Sequence, residues 1–232
     1  MICAVHQPQT FPYLGYFAKM MQADCFVYLD NVQFKKNEWQ NRNRIKSNSG
    51  WQWLTVPILH HFGQSIQEVA INPSVNWQDK HLQMLQTCYG KAPYFLRYFQ
   101  ELKNIYQRPW QKLVDFNLTT LEWLKQLLGI KTPTYLASEI IPAQDNASLT
   151  ADERLITICK ILQADTYLSG AGGHAYLNTD LFPQNNINLI FQNFQHPSYP
   201  QLFGEFIPYL SILDLIFNCG EDSQSIIRRG ML

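Results

Sequence analysis

The strongest constraint on the fold is the alternation of short apolar runs with helical periodicity. The runs are ICAV (2–5), CFVYL (25–29), WQWLTVPI (51–58), TYLAS (134–138), TYLS (166–169) and INLIFQ (187–192). Each has the length of a strand, and several lack the polar alternation of a strand that faces water. Between them, Leu14, Phe17, Met20 and Met21 repeat at helical spacing, as do Leu155, Ile158, Cys159 and Leu162. Strands and helices taking turns in this way predict an α/β fold, a Rossmann-like three-layer sheet with parallel order.

The middle of the chain breaks the alternation. From Trp77 to Leu128 no strand signal occurs, and three helical segments are expected at 77–89, 93–107 and 110–128. The last carries an apolar stripe of Trp110, Val114, Leu118, Leu121, Leu124 and Leu128. Gly90, Pro93 and Pro109 separate the segments, and Gly129 suits a helix C-cap. The expectation is one domain over 1–232, with an all-helical insert or cap at 77–128 packed on the α/β core.

Bulk properties exclude several classes of function. The 232 residues are 46% hydrophobic and carry a formal net charge of zero. That balance opposes a bulk nucleic-acid or membrane-surface role. No apolar run approaches the roughly 20 residues that span a bilayer, and the N-terminus lacks a basic leader region. A cytoplasmic location without membrane insertion is expected. The five cysteines are scattered without zinc or C-x-x-C spacing, which predicts buried reduced thiols and no metal centre.

Chemistry is concentrated in three stretches. In VHQPQTFPYLGYF (5–17) the first strand run ends at His6, Gln7 and Pro8, and Pro12 delays the next helix. His6 therefore stands at a strand-to-helix turn, where functional groups gather on a rigid scaffold. Asp30, ending the second run, falls on the same sheet edge if the two strands are parallel neighbours. Both are candidate catalytic residues. Residues 35–46 hold five bases, Lys35, Lys36, Arg42, Arg44 and Lys46, against Glu38, a local charge of +4 in a neutral chain. The amides Gln33, Gln40, Asn41 and Asn43 are interleaved with them. Guanidinium forks suit phosphate or carboxylate, and amides suit sugar hydroxyls or base edges. YLSGAGGHAYL (167–177) places three glycines within 170–173, which lets a ligand approach the backbone near Ser169, Gly170 and His174. Neither a P-loop nor a dinucleotide fingerprint is present. KKNEWQNRNRIK with Trp39, Trp51 and Trp53 also admits RNA binding, against which the zero net charge counts.

The segments HQPQTFPYLGYF, ADCFVYLDNVQFKKNEWQNRNRIKSNSGWQWLTVP, YLSGAGGHAYL and YPQLFGEFIPYLSILDLIFNCG resemble the WbqC-like proteins. These are bacterial proteins often encoded among genes for O-antigen and other surface glycans. The resemblance implies a transferase of lipopolysaccharide-type precursor synthesis, moving an acyl or aminoacyl (glycine-like) group to an amino sugar. A nucleotide, nucleotide sugar or acyl donor is the expected small-molecule partner, with ATP or another nucleotide and Mg²⁺ as candidate cofactors. The opening strand, His6 and Gly15 are also similar to the nucleotidylyltransferase superfamily, although Tyr16 stands where its second histidine belongs. The alternatives are thus a nucleotidylyltransferase-like enzyme and a non-catalytic nucleotide- or sugar-binding protein.

Overall fold

The computed structural model describes residues 1–231. β1 (Ile2–His6), α1 (Leu14–Gln22) and β2 (Cys25–Tyr28) open the chain. An antiparallel hairpin follows, β3 (Arg42–Ser47) with β4 (Gly50–Thr55), and then the short pair β5 (Ile58–Leu59) and β6 (Ala70–Ile71). Three helices come next: α2 (Trp77–Tyr89), α3 (Phe95–Tyr106) and α4 (Leu113–Leu127). β7 (Thr134–Leu136) leads into α5 (Ala137–Ile140), α6 (Ala143–Ser148) and α7 (Ala151–Ile161). The chain finishes with β8 (Thr166–Ser169), α8 (Leu181–Gln184), β9 (Asn188–Phe191), α9 (Ile212–Cys219) and α10 (Ser223–Arg229).

Five strands form one parallel sheet in the order β7-β2-β1-β8-β9. Counted along the chain this is 3-2-1-4-5, the doubly wound order of Rossmann-like folds. β1 is central: Cys3 pairs with Cys25 on one side, and Ile2 with Thr166 on the other. Side chains alternate across the strands, and both faces are covered. Ala4, Phe26, Tyr28 and Leu168 pack in one core with α1, the 29–133 connection and the C-terminal helices. Cys3, Val5, Cys25, Val27 and Tyr167 pack in a second core with Ala137, Leu155, Ile158 and Phe182. Covering on two faces explains the near-continuous apolar runs. All five cysteines are buried and free.

The run at 51–58 is not a strand of the central sheet. Pro57, which has no N–H to donate, lies between β4 and β5, and both belong to small antiparallel ladders. The three helices of 77–128 do form, slightly shorter than expected, within the long connection from β2 to β7. Val114, Leu121, Leu124 and Leu128 are buried, with Leu118 and Trp110 packed at the margin. Phe116 gathers Phe11, Trp77, Tyr106 and Trp110 around it in edge contacts. Polar groups in this core are hydrogen-bonded. The fully buried Asn117 donates from Nδ2 to the Gln40 carbonyl (2.8 Å), and the Thr10 hydroxyl donates to its Oδ1 (2.8 Å).

Leu121 has no exposed surface. Leu121→Ala is therefore predicted to cost roughly 2–5 kcal/mol of stability, the sum of lost transfer energy and a cavity. Urea unfolding of the variant measures it. A loss below about 0.5 kcal/mol, the range of surface substitutions, would show that the stripe carries no packing.

Candidate functional site

Pro8 and Pro12 keep the turn after β1 out of helix, and Phe11 adopts a left-handed backbone (φ 44°). α1 then begins at Leu14 and runs back beside the strand. Its last turn carries Lys19, whose Nζ donates to the Val5 carbonyl at 2.9 Å. Tyr16 packs its ring against His6 (4.7 Å between centroids) and donates its hydroxyl to the Gln7 carbonyl (3.2 Å). β1 and β8 lie side by side, and their following connections lead to opposite neighbours in the sheet, β2 and β9. A cavity of about 570 Å³ occupies the crevice beyond their C-terminal ends, the place where open α/β sheets bind ligands. That volume suits a small molecule.

The lining is cationic. Lys19, Lys35 and Arg154 contribute to it, together with His6, Gln7, Gln33 and the glycine loop, and no carboxylate does. Lys19 is 3% exposed, and burial pushes its ammonium down to about 7. Burial of the His6 ring, with the Lys19 charge beside it, pushes the imidazole down to about 3, so it is neutral at physiological pH. Arg154 is fixed by three acceptors: the side chain of Asn146 (2.5 Å) and the carbonyls of Asn146 (3.1 Å) and Leu149 (3.0 Å). No carboxylate pairs with it among the described residues. A pocket of unneutralised cations in a neutral chain favours an anion. At Gly170 and Gly172 the space a Cβ would take is open. The lining offers a divalent cation no anionic ligand, and the described residues hold no cluster of three metal-ligating side chains.

The structure brings His6, Gln7, Gln33, Lys35 and Gly170 together around this cavity. Gln40 stands just behind, donating to Gln7 Oε1 (2.7 Å) and accepting from the Lys35 amide (3.0 Å). Asp30 is buried and outside the lining. Its carboxylate accepts from Ser138 N (2.9 Å) and Ser138 Oγ (2.5 Å), which fixes the start of α5. Asn41 and Asn43 tether backbone, to Val56 and to Thr10 and Phe11. Arg42 and Arg44 lie on the tryptophan-bearing face of the β3–β4 hairpin, over Trp53 and Trp51. Lys46 is buried and bonded to Gln201 Oε1 (3.0 Å) and the Glu205 carbonyl (2.5 Å). Ser169 is buried and donates to the Gly170 carbonyl (3.1 Å). His174 is exposed and stacks on Phe191, 3.5 Å between centroids. Lys19, Arg154 and Tyr176, which are not among the residues expected from sequence, also line the cavity. For Lys19 a signal existed: it is the one cation inside the apolar segment FAKMM.

Lys19 carries a proton up to about 10.5 when unfolded but only up to about 7 when folded. Between these values the unfolded chain binds more protons, so Lys19 makes stability rise with pH across that window. Lys19→Met is predicted to be more stable than the parent at pH 7, by on the order of 2 kcal/mol after the orphaned Val5 carbonyl is allowed for. The advantage shrinks as pH rises toward 9.5. Urea melts at both pH values check it, and a pH-independent difference would mean that the amine titrates normally.

The same chain pattern recurs elsewhere. An uncharacterized protein of Mycobacterium tuberculosis, Rv1507c, is 31% identical over 229 residues, 97% of this chain and 96% of the relative. No solved structure matches the chain. The family model that matches is the WbqC-like protein family, over residues 7–226, from the turn after β1 into α10. The chain belongs to the WbqC-like protein family.

Proposed function

We propose that this protein is a transferase of bacterial surface-glycan (O-antigen type) precursor synthesis. It takes a phosphate-bearing activated donor in the β1–β8 cavity and passes an acyl or aminoacyl group to an amino sugar. The observation that carries this reading is the lining itself: Lys19, Lys35 and Arg154 without a carboxylate, in a chain of zero net charge. Family membership supports the glycan context.

The residues divide the work by their chemistry. Arg154, locked by backbone carbonyls, and the exposed Lys35 hold the donor's phosphate. An amine acceptor must lose a proton to form an amide. Lys19, whose amine titrates near 7, is the group in the cavity suited to move that proton. His6 is neutral, and with its Nδ1–H on the Gln7 carbonyl (3.3 Å) its Nε2 lone pair accepts a hydrogen bond from substrate. Asp30 lies outside the lining with Ser138 on both of its oxygens, and its role in this reading is to position α5. Nucleotidyl transfer is the weaker reading, because Tyr16 packs against His6 where a second imidazole would be needed. Any Mg²⁺ required enters with the donor's phosphates.

A thermal-shift screen with pyrophosphate, nucleotides, nucleotide sugars and acyl phosphates tests the binding half. A phosphate-bearing ligand at about 100 times its Kd adds roughly 2.7 kcal/mol of stability and raises Tm. Arg154→Gln and Lys35→Gln are predicted to weaken that ligand by about tenfold or more, each having lost a charge-assisted contact. If no phosphate compound raises Tm, the anion reading is overturned. His6→Ala is predicted to leave the fold and donor binding intact and to lower turnover by on the order of 100-fold. Donor binding with no turnover against any amino sugar would leave a non-catalytic binding protein instead.

A further inference from the structure

The β3–β4 hairpin carries a second cationic surface that the cavity does not use. In the register of this hairpin Arg44 faces Trp53 and Lys46 faces Trp51, so basic and indole side chains alternate along one face. The Arg42 guanidinium lies 4.0 Å over Trp53, and that of Arg44 lies 5.3 Å over Trp51 and 5.8 Å over Trp39. Trp39 and Trp51 are 38% and 44% exposed. Backbone carbonyls hold both guanidiniums: Arg42 Nη2 donates to Asn37 (2.5 Å) and Arg44 Nη2 to Tyr209 (3.1 Å). Neither guanidinium forms an ion pair among the described residues, and the Nε of each is enclosed with no hydrogen-bond partner. None of these side chains lines the cavity.

We infer that this face binds an acidic saccharide, a chain of pyranose rings of which one or two in reach of the arginines bear a carboxylate. Exposed indole faces are electron-rich and attract the C–H-lined face of a sugar ring. The guanidinium N–H groups left over from the backbone carbonyls donate to a carboxylate, and stacking on the indoles presets their geometry, so little entropy is lost on binding. Two unpaired positive charges set the sign of the occupant. Their sparseness sets its class. A single-stranded nucleic acid brings a phosphate with every base and needs a run of cations in a positive field. This chain has zero net charge, and Glu38 adjoins Trp39. The surface lies apart from the cavity, so the inference holds or fails independently of the donor reading.

Tryptophan fluorescence and calorimetry with hexagalacturonate, maltohexaose and oligothymidylate test it. Hexagalacturonate is expected to bind about tenfold or more tighter than maltohexaose, the worth of one charge-assisted pair. It should bind equally well with pyrophosphate saturating the cavity. Arg42→Gln with Arg44→Gln, and separately Trp51→Ala, should each weaken it by about tenfold, while pyrophosphate affinity and Tm stay near the parent's. If either variant melts early, the parent's preference for the acidic over the neutral hexasaccharide, measured with pyrophosphate saturating the cavity, still decides the question. The inference is overturned if the parent binds the two hexasaccharides alike or neither, if folded variants bind as the parent does, or if oligothymidylate binds more tightly than hexagalacturonate.

Discussion

One buried carboxamide holds the cavity end of this molecule together. Asn117 lies in α4, far along the chain from the turn it supports, yet its two polar ends meet Gln40 and Thr10. Each of these groups lies where water cannot reach, so leaving one unpaired costs about 1–3 kcal/mol. The triangle therefore fixes three segments against one another: the loop after β1, the strand entry at residue 40 and the helix. Gln40 then passes the constraint outward, since its side chain bonds Gln7 and the Lys35 amide at the cavity wall. A helix in the long connection thus determines where a turn of the sheet points.

The local elements were legible because their signals are local. ICAV, CFVYL, TYLS and INLIFQ become β1, β2, β8 and β9 within a residue or two, and the period of 3.6 located α2, α3, α4 and α7. The fate of WQWLTVPI was not legible. Its apolar residues satisfy a hairpin and an aromatic surface as well as they would a central strand, and only the pairing partner distinguishes these. The 3-2-1-4-5 order likewise rests on contacts between residues more than a hundred positions apart, such as Ile2 with Thr166. No window of sequence contains them.

The site was read in part for the same reason. Loop residues at strand ends announce themselves through Pro, Gly and amides, and His6, Gln7, Gln33, Lys35 and Gly170 do converge. The fold divides the residues that carry the local charge of +4: Lys35 lines the cavity, while Arg42 and Arg44 lie on the hairpin. Once β3 begins at Arg42, the period of two sends Arg42 and Arg44 to the tryptophan face and Asn43 and Ile45 inward. Lys46 has the parity of the arginines, yet residues 201–205 cover it. Lys19 and Arg154 escaped because a lone cation on an amphipathic helix ordinarily faces water. What recruits them is the sheet edge, which their own neighbours in sequence do not specify.

The central position of β1 also bears on how the chain is made. Its first edge is paired as soon as β2 emerges, but its second waits for β8, whose Thr166 meets Ile2. At a synthesis rate of roughly 5–20 residues per second, that interval is on the order of 10 s. During it one flank of an apolar strand stands open, a template for pairing with other nascent chains. The connection between β2 and β7, with its own aromatic core around Phe116, is complete well before β8 and buries Phe11 from the turn after β1. Early docking of that turn gives the growing polypeptide something to hold the strand in place until its last partner arrives.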